Sequence, residues 1–429
     1  MRLSAFVLLL LISCSIPAAD SARLDNAQDF MASMERAKVG EVMRVDPALF
    51  ESSSTGEVLV ERMALRAPGA GVFIVREGRP APLHYPERRL FVGRAPDTPS
   101  LRIGILFDAR AQELTGAIAG PGGLRMLALS SDDGLRLTAR APTLPEGVNL
   151  VQSCGNVDMD QSDRMPELRR DPMAGLFEQS RGGLRYGVLA IDTDAEWLDR
   201  RFNDDTTAAA EWLEELLLVT NTLFEAQLSL RMLHGDTFLR VGSDPYSESD
   251  SPASGAHLQE FGSYWQSNYG GVSRTHAALV SGQSSSGFSA SGIAWVNSYC
   301  ENQSTGGSYS VNQLYYNDGV PVSASARLFA HEIGHNLGSV HTHCYDPPVD
   351  ECYAQESGCY DGPTSCPGGG DNAGTLMSYC NINGCGPSSG QNLLQFAPEV
   401  ETVINQAVDA NTPSCLAGDL GIFADRFEN

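Results

Sequence analysis

The sequence predicts an α/β (α+β) fold in which a domain with a mixed sheet follows a smaller, mostly β domain. Three observations lead to this prediction. Short apolar stretches separated by turn residues fill residues 24–150, and strand and helix patterns alternate from residue 184 onward. Acidic residues, moreover, are concentrated in the second part of the chain. At 429 residues the chain is long enough for two domains and a leader segment.

The first residues have the pattern of an export signal. Arg2 precedes the apolar run 6–12, which is too short to cross a membrane as a helix. Two processing routes are open. The segment that ends at Cys14 resembles a bacterial lipoprotein box, which would leave that cysteine lipidated, whereas a signal peptidase could cut near Ala18 or Ala19. We assign residues 1–19 to a signal peptide, favour plain secretion and expect no membrane span elsewhere.

The smaller domain and a linker are predicted to occupy residues 20–181. Apolar stretches at 71–75, 101–107 and 124–129 are predicted strands, because each is short and is bounded by turn residues. Residues 155–183 are polar and are predicted to form an exposed linker.

The second domain is predicted to cover residues 182–416, followed by a short tail at 417–429. Its alternating patterns indicate a mixed sheet with helices packed against it. The predicted strands are 185–191, 228–233, 275–280 and 291–296, and the predicted helices are 207–225, 258–265, 325–337 and 398–407.

A histidine-rich motif begins in the third of these helices, which we predict to be half-buried. His331 and His335 are four residues apart, so they lie on one helix face and can bind the same ion. Glu332 lies beside the first histidine, where it can accept a proton from water at the metal. Gly338 can leave the helix with positive φ, which lets His341 return as a third ligand. Three ligands leave a fourth position open, as in a catalytic zinc site.

The extended spacing HExxHxxGxxH resembles the metzincin metalloproteases, whose second mark is a methionine turn below the metal. Such a turn is present downstream, around Met377. The order of strands and helices over roughly 184–416 is similar to the reprolysin (adamalysin-like) branch. The cysteine-rich stretch 344–385 is most similar to exported bacterial members of that group.

This resemblance implies a secreted, extracellular or cell-surface zinc metalloendopeptidase, expected to be a monomer, that cleaves internal bonds of protein or peptide substrates. It implies one catalytic Zn²⁺ bound by His331, His335 and His341. Glu332 would act as the general base for the attacking water and then protonate the leaving amine. An edge strand around 292–296 could bind an extended substrate by strand addition.

Departures from the reprolysin pattern keep other interpretations open. Thr342 stands where reprolysins usually have aspartate, which is similar to pappalysin-like enzymes. Tyr379, two residues after the methionine, resembles the tyrosine of astacins and serralysins, which can bind zinc and support the transition state. A buried tyrosine bonded to the backbone is the alternative. A non-catalytic zinc-binding or adhesive surface protein also stays open, although Glu332 argues against it.

The ten cysteines divide into two groups. Eight of them occur at or beyond Cys300, and an even set in the loops of an exported chain predicts disulfides. A second zinc site made of thiolates is the alternative, but no CxxC pair is present. The connectivity stays open on the residues alone. The reprolysin resemblance implies a bridge between Cys300 and Cys415.

Cys154 lies upstream of this set and is followed by glycine. It resembles the propeptide cysteine with which many metzincins close their zinc site, although its flanking residues do not match the family pattern. A disulfide with an unexpected partner or a buried thiol are the alternatives. The resemblance implies that residues 20–181 are an inhibitory propeptide, released by cleavage near Arg169 and Arg170 or near Arg181.

Charge excludes some partners. Residues 23–181 carry 20 basic and 22 acidic residues, whereas 182–429 carry 8 and 30, within a net charge of −24. A region with this excess of acidic residues repels nucleic acid and anionic membranes. We therefore expect no nucleic-acid partner. Its carboxylates could bind Ca²⁺, but no EF-hand or repeat motif supports that. We favour a solvated acidic surface.

Overall fold

A computed structural model of the chain describes residues 23–50, 56–120, 123–130, 136–140, 144, 150–154, 183–369, 372–385 and 392–418. The predicted signal peptide with Cys14, the predicted linker with its cleavage sites, and the tail from residue 419 lie outside the described residues. Within the described ranges, no helix is both long enough and apolar enough to cross a bilayer.

The described elements are numbered in chain order. The strands are β1 (Val42–Val45), β2 (Val58–Met63), β3 (Val72–Arg76), β4 (Arg79–Pro82), β5 (Arg89–Ala95), β6 (Thr98–Asp108), β7 (Glu113–Gly120), β8 (Gly123–Ser130), β9 (Arg136–Arg140), β10 (Val151–Cys154), β11 (Arg185–Thr193), β12 (Leu230–Arg240), β13 (His276–Ser281), β14 (Ser289–Ala294) and β15 (Tyr309–Gln313). The helices are α1 (Ala27–Arg36), α2 (Ala195–Phe202), α3 (Thr206–Gln227), α4 (Gly255–Tyr269), α5 (Val322–Asn336) and α6 (Pro398–Ala410).

The N-terminal region, residues 23–154, is built on a seven-stranded antiparallel sheet in the order β1-β2-β5-β6-β7-β8-β9. Ile103, Ile105 and Phe107 alternate along β6 and pack with α1 in one core. The opposite face of β6 lies against α3, where a side chain at Gly104 would collide with Leu218. The sheet is therefore buried on two sides.

The second sheet has eight strands in the order β10-β14-β15-β13-β11-β12-β3-β4. It is mixed, as predicted, because β14 and β4 run antiparallel to a neighbour while the other pairings are parallel. Helices α3 and α5 share the core on one face, and α4 packs on the other. The long helix α3 thus lies between the two sheets, and its apolar residues are buried on both sides.

Strands from the N-terminal region complete both ends of this second sheet. The stretch at 71–75, predicted as a strand of the smaller domain, forms β3 and pairs in parallel with β12, with Val72 opposite Thr237. At the other end β10 pairs in parallel with β14. The sequence predicts two separate domains, whereas the structure has one sheet built from both regions. Long-range pairing of this kind has no local sequence signal.

Two elements of the second region were not among the sequence predictions. Asp194 caps the N-terminus of helix α2, and its side chain accepts a hydrogen bond of 2.7 Å from the backbone N–H of Trp197. Strand β15 is hidden in the sequence by buried polar residues such as Asn312 and Gln313. Polar side chains at core positions weaken the apolar pattern on which strand prediction depends.

Helix α5, which carries the histidine motif, is more deeply buried than the sequence predicts. All of its 15 residues are buried, whereas an apolar stripe at helical spacing predicts only one buried face. Helix α3 and strands β14 and β15 pack around α5, and Pro321 precedes its first turn. The motif is therefore displayed from a rigid element.

Candidate metal centre

The three histidines of the motif converge on one point. Helix α5 presents His331 and His335 on one face, with ring centroids 4.7 Å apart. Gly338 adopts φ +98° after the helix, as predicted, and the chain turns back there. The ring of His341 then lies 5.3 Å from that of His331 and 4.7 Å from that of His335.

The hydrogen bonds of the imidazole rings leave their Nε2 atoms facing inward. Nδ1 of His331 lies 2.7 Å from the carbonyl of Leu376, and Nδ1 of His335 lies 2.8 Å from that of Ser339. A carbonyl only accepts, so each Nδ1 carries the proton and each Nε2 has a free lone pair. Those two Nε2 atoms are 3.1 Å apart.

The third ring completes this arrangement. Nε2 of His341 is buried and has no hydrogen-bond partner among the described residues. Two lone pairs at 3.1 Å and an orphaned third nitrogen are unfavourable unless a cation lies between them. The donor set therefore fits a zinc ion bound by three neutral imidazoles.

Electrostatics favour the neutral, metal-binding form of His331 and His335. Burial lowers the pKa of His331 to about 3, and the proximity of His341 acts in the same direction. Burial likewise lowers the pKa of His335 well below its ordinary value. Glu332 is fully buried, and burial raises its pKa to about 8 against the opposing hydrogen bond from Cys154.

The carboxylate of Glu332 lies in space that a glycine provides. Its Oε1 has no hydrogen-bond partner among the described residues. Gly292 on β14 faces it, and a Cβ at that position would overlap the carboxylate. The glycine inside a predicted strand is a sequence signal for close approach of another group, although the sequence does not say which group.

The methionine turn lies directly under the helix. Met377 is fully buried, and a side chain at Gly334 of α5 would meet its sulfur at 2.8 Å. The carbonyl of Met377 accepts hydrogen bonds from both the backbone N–H (2.9 Å) and the hydroxyl (3.2 Å) of Thr342. The threonine that departs from the reprolysin pattern thus connects the motif to the turn.

Tyr379 lies beside the third histidine. Its ring centroid is 4.1 Å from that of His341, and its hydroxyl donates to the carbonyl of Cys154 at 3.3 Å. Burial raises the pKa of Tyr379 well above its ordinary value, so the phenol keeps its proton and is a donor.

Cys154 reaches the same point from the N-terminal region. It lies on β10 directly opposite Gly292 of β14. Its Sγ is 3.8 Å from both Nε2 of His335 and Oε2 of Glu332. The sulfur and one nitrogen from each of the three histidines all lie within 4.8 Å of one another. The strand predicted to bind substrate at its edge is here covered by β10.

The eight cysteines from Cys300 onward form four disulfides, which confirms the prediction from their even number. The bridge between Cys300 and Cys415, implied by the family resemblance, is present. The others join Cys344 to Cys359, Cys352 to Cys380 and Cys366 to Cys385. Three of the four therefore lie in the segment around the third histidine and the methionine turn.

Glu356 is a residue of the site that motif spacing in the sequence did not predict. Glu356 lies in the loop closed by Cys344 and Cys359, and its Oε2 is 2.8 Å from Nδ1 of His341 and 2.8 Å from Nε2 of His343. Burial acts to raise the pKa of Glu356, but the hydrogen bonds from and the proximity of His341 and His343 outweigh it and hold that pKa below its ordinary value. No motif spacing relates it to the histidines.

The sequence of the chain is similar to that of a known metallopeptidase family. A family model described as Reprolysin_5, metallo-peptidase family M12, matches residues 185–393. A zinc metalloproteinase/disintegrin of Bitis gabonica is 26% identical over 220 residues, which cover 50% of this chain. The match spans 61% of that relative, less than two thirds of its length. A chain in a solved structure of a chaperone–substrate complex aligns with 68% of this chain over 38% of its own length, at 13% identity and a TM-score of 0.29.

Proposed function

The chain carries a reprolysin-like metzincin domain of metallopeptidase family M12 at residues 185–393, and from that premise we propose that the protein is a zinc-dependent metalloendopeptidase made in a latent form. The observation that carries the proposal is the convergence of His331, His335 and His341 beside the buried carboxylate of Glu332. Protein or peptide chains are the proposed substrates, cleaved at internal bonds.

The proposed mechanism depends on the three histidines, which would bind a zinc ion, and on Glu332, which moves the proton. A zinc ion bound by His331, His335 and His341 would lower the pKa of a water and polarise the scissile carbonyl. Glu332 takes a proton from the attacking water at a carboxylate oxygen and passes it to the leaving nitrogen. Its position suits this role, because the carboxylate is buried beside the histidines and its Oε1 has no hydrogen-bond partner among the described residues.

We also assign a role to Tyr379, the stabilisation of the developing oxyanion. In the latent chain its hydroxyl donates to the carbonyl of Cys154. When β10 leaves, the same protonated hydroxyl is available to a substrate carbonyl, where a donor stabilises the developing oxyanion. We therefore propose that Tyr379 supports the transition state.

Latency is proposed to result from Cys154 and its strand. Thiolates are zinc ligands, and the sulfur lies close to the histidine nitrogens. Strand β10 also covers the edge of β14, which an extended substrate would use for strand addition. Residues 20–181 are the proposed propeptide, and both obstacles would leave when cleavage between Cys154 and β11 is followed by dissociation of the N-terminal region.

Export is proposed on separate grounds. Four disulfides are typical of proteins that fold in an oxidising compartment. Together with the predicted signal peptide, they support a secreted or cell-surface protein. N-terminal sequencing of the secreted product would identify the processing site and distinguish plain secretion from lipidation at Cys14.

The experiment that tests the catalytic proposal compares processed parent protein with the variant Glu332→Gln in a casein assay. We expect activity to disappear with a zinc chelator and to return with Zn²⁺. We expect the variant to lose at least about 10²–10⁴ in rate while it keeps stoichiometric zinc. Glu399→Gln, an exposed glutamate on α6, is the matched control. Activity that survives chelation, or a fully active Glu332→Gln, contradicts the proposal.

A further inference from the structure

The three histidines of the metal centre differ in what accepts the hydrogen bond from Nδ1. His331 and His335 donate to the backbone carbonyls of Leu376 and Ser339. His341 donates instead to the side chain of Glu356. Among the described residues, it is therefore the only one of the three whose outer nitrogen faces a charged group.

This difference matters because His341 lies beyond the helix that orients the other two. Helix α5 ends at Asn336, and His341 is reached through the turn at Gly338. A side-chain carboxylate on Nδ1 would select the tautomer that leaves Nε2 free and limit rotation of the ring. Its negative charge also makes the imidazole a stronger donor to a cation.

Glu356 is itself held in place. Nε2 of His343 lies 2.8 Å from the same Oε2 that accepts from His341. The rings of His341 and His343 are stacked, with centroids 5.5 Å apart and an interplanar angle of 7°. The side chain of Glu356 is 10% exposed and that of His343 is fully buried. A carboxylate shared by two imidazoles in a largely dry site has little freedom to move.

The covalent frame supports the same geometry. Cys344 lies three residues after His341, and its disulfide with Cys359 closes the loop that contains Glu356. The ring of Tyr379 packs against the rings of both His341 and His343. The disulfide loop therefore brings Glu356 to the histidine that the helix does not orient.

We propose that Glu356 is a positioning residue that orients His341 as a metal ligand, and that His343 holds Glu356 in place for this task. The inference rests on the proposed zinc site. It adds a residue outside the HExxHxxGxxH motif and explains the use of the fourth histidine in the segment, His343.

The test measures the zinc dissociation constant of the full-length chain by chelator competition. We expect Glu356→Ala to weaken zinc binding by about 10–100-fold, the usual effect of removing such a partner. Glu356→Gln keeps an acceptor oxygen but not the charge, and we expect a loss of about 3–10-fold. Glu351→Gln, an exposed glutamate of the same loop, is the matched control and should bind zinc like the parent.

The thermal midpoint of the metal-free protein, measured in parallel, separates positioning from loop anchoring. The proposal is overturned if the folded variants at position 356 have a lowered thermal midpoint but bind zinc with a dissociation constant within twofold of the parent value. If Glu356→Ala does not fold, the zinc dissociation constant of Glu356→Gln alone decides between positioning and loop anchoring. Zinc binding is measured without any substrate, so a parent that binds zinc but cleaves nothing contradicts the proposed function and leaves this inference intact.

Discussion

Cys154 approaches the metal centre from 181 residues before His335, on a strand of the N-terminal region. Its sulfur and one nitrogen from each of the three histidines lie within 4.8 Å of one another, so the thiol could supply a fourth ligand to an ion bound there. At the residue scale, the proposed latency therefore depends on a single thiol and on the backbone that carries it.

We predict that Cys154→Ala gives an unprocessed chain with casein-cleaving activity well above that of the unprocessed parent. Without the thiol, the fourth position opens to water, and only the pairing of β10 with β14 still obstructs the substrate. Ser153→Ala, the preceding residue of the same strand, should stay as latent as the parent. Unchanged latency in Cys154→Ala would refute the role of the thiol.

Tyr379 supplies a second prediction at this scale. If its hydroxyl stabilises the transition state, Tyr379→Phe should lower kcat of the processed enzyme by about 10²-fold and change KM little. Tyr353→Phe is the control, because that ring packs against Tyr379 and His343. A kcat of Tyr379→Phe equal to that of the parent would mean that the tyrosine only packs against His341.

At the scale of elements, β14 supplies two features of the site. Its edge pairs with β10, and its Gly292 leaves the space in which the side chain of Glu332 lies. Any larger residue at 292 must displace either the strand or the carboxylate. The distance between β14 and α5 thus depends on the absence of a side chain at one position.

We predict that Gly292→Ala lowers the activity of the processed enzyme by at least about 10²-fold, because a small misplacement of a general base is costly. Gly271→Ala is the control, since a Cβ there meets nothing within 4 Å. Circular dichroism should show that both variants are folded, and zinc content should be unchanged. Gly292→Ala with parental activity would show that Glu332 can move without loss.

At the scale of the whole molecule, the described part of the N-terminal region contacts the second region through both ends of the second sheet and through helix α3. Strands β3 and β4 extend its sheet beyond β12, β10 covers the other end, and β6 packs on α3. A buried charge cluster connects the two regions. The carboxylate of Glu214 on α3 accepts from Arg66 at 2.8 Å, Arg88 at 3.0 Å and Tyr85 at 2.6 Å.

These contacts predict that cleavage alone does not separate the two parts. We expect the chain, cut at a protease site inserted after Arg170, to elute from a size-exclusion column as one complex at micromolar concentration. Arg88→Met should weaken the complex by roughly 30-fold or more, because it leaves a buried carboxylate short of a partner. Arg89→Met is the control, since Arg89 bonds within the N-terminal region, to the carbonyl of Met34. Complete separation of the parent on cleavage would contradict the prediction.

Local patterns account for most of what the sequence predicted correctly. Strands β11, β13 and β14 and helices α3, α4 and α6 were found where apolar periodicity placed them, within a few residues at each end. Periodicity did not find β15, because a strand with buried polar residues carries a weak apolar pattern, and it did not find α2, which is only eight residues long.

In the metal centre too, local patterns predicted some residues and missed others. His331, His335 and His341 are brought together by helix spacing and by one turn, so their convergence could be predicted from short-range order. Gly292 and Glu356 reach the site through sheet pairing and a disulfide loop. Contacts between residues far apart in sequence leave no spacing to recognise.

By itself, the sequence determined the ligand motif, the acidic second region and the even set of cysteines, since each is a property of residue type and short spacing. Only the tertiary structure decided that Cys154 faces the histidines, that Glu356 accepts from His341, and that strands from the N-terminal region close both ends of the second sheet. The physical reason is that these contacts depend on packing and strand pairing over more than one region, which local periodicity does not encode.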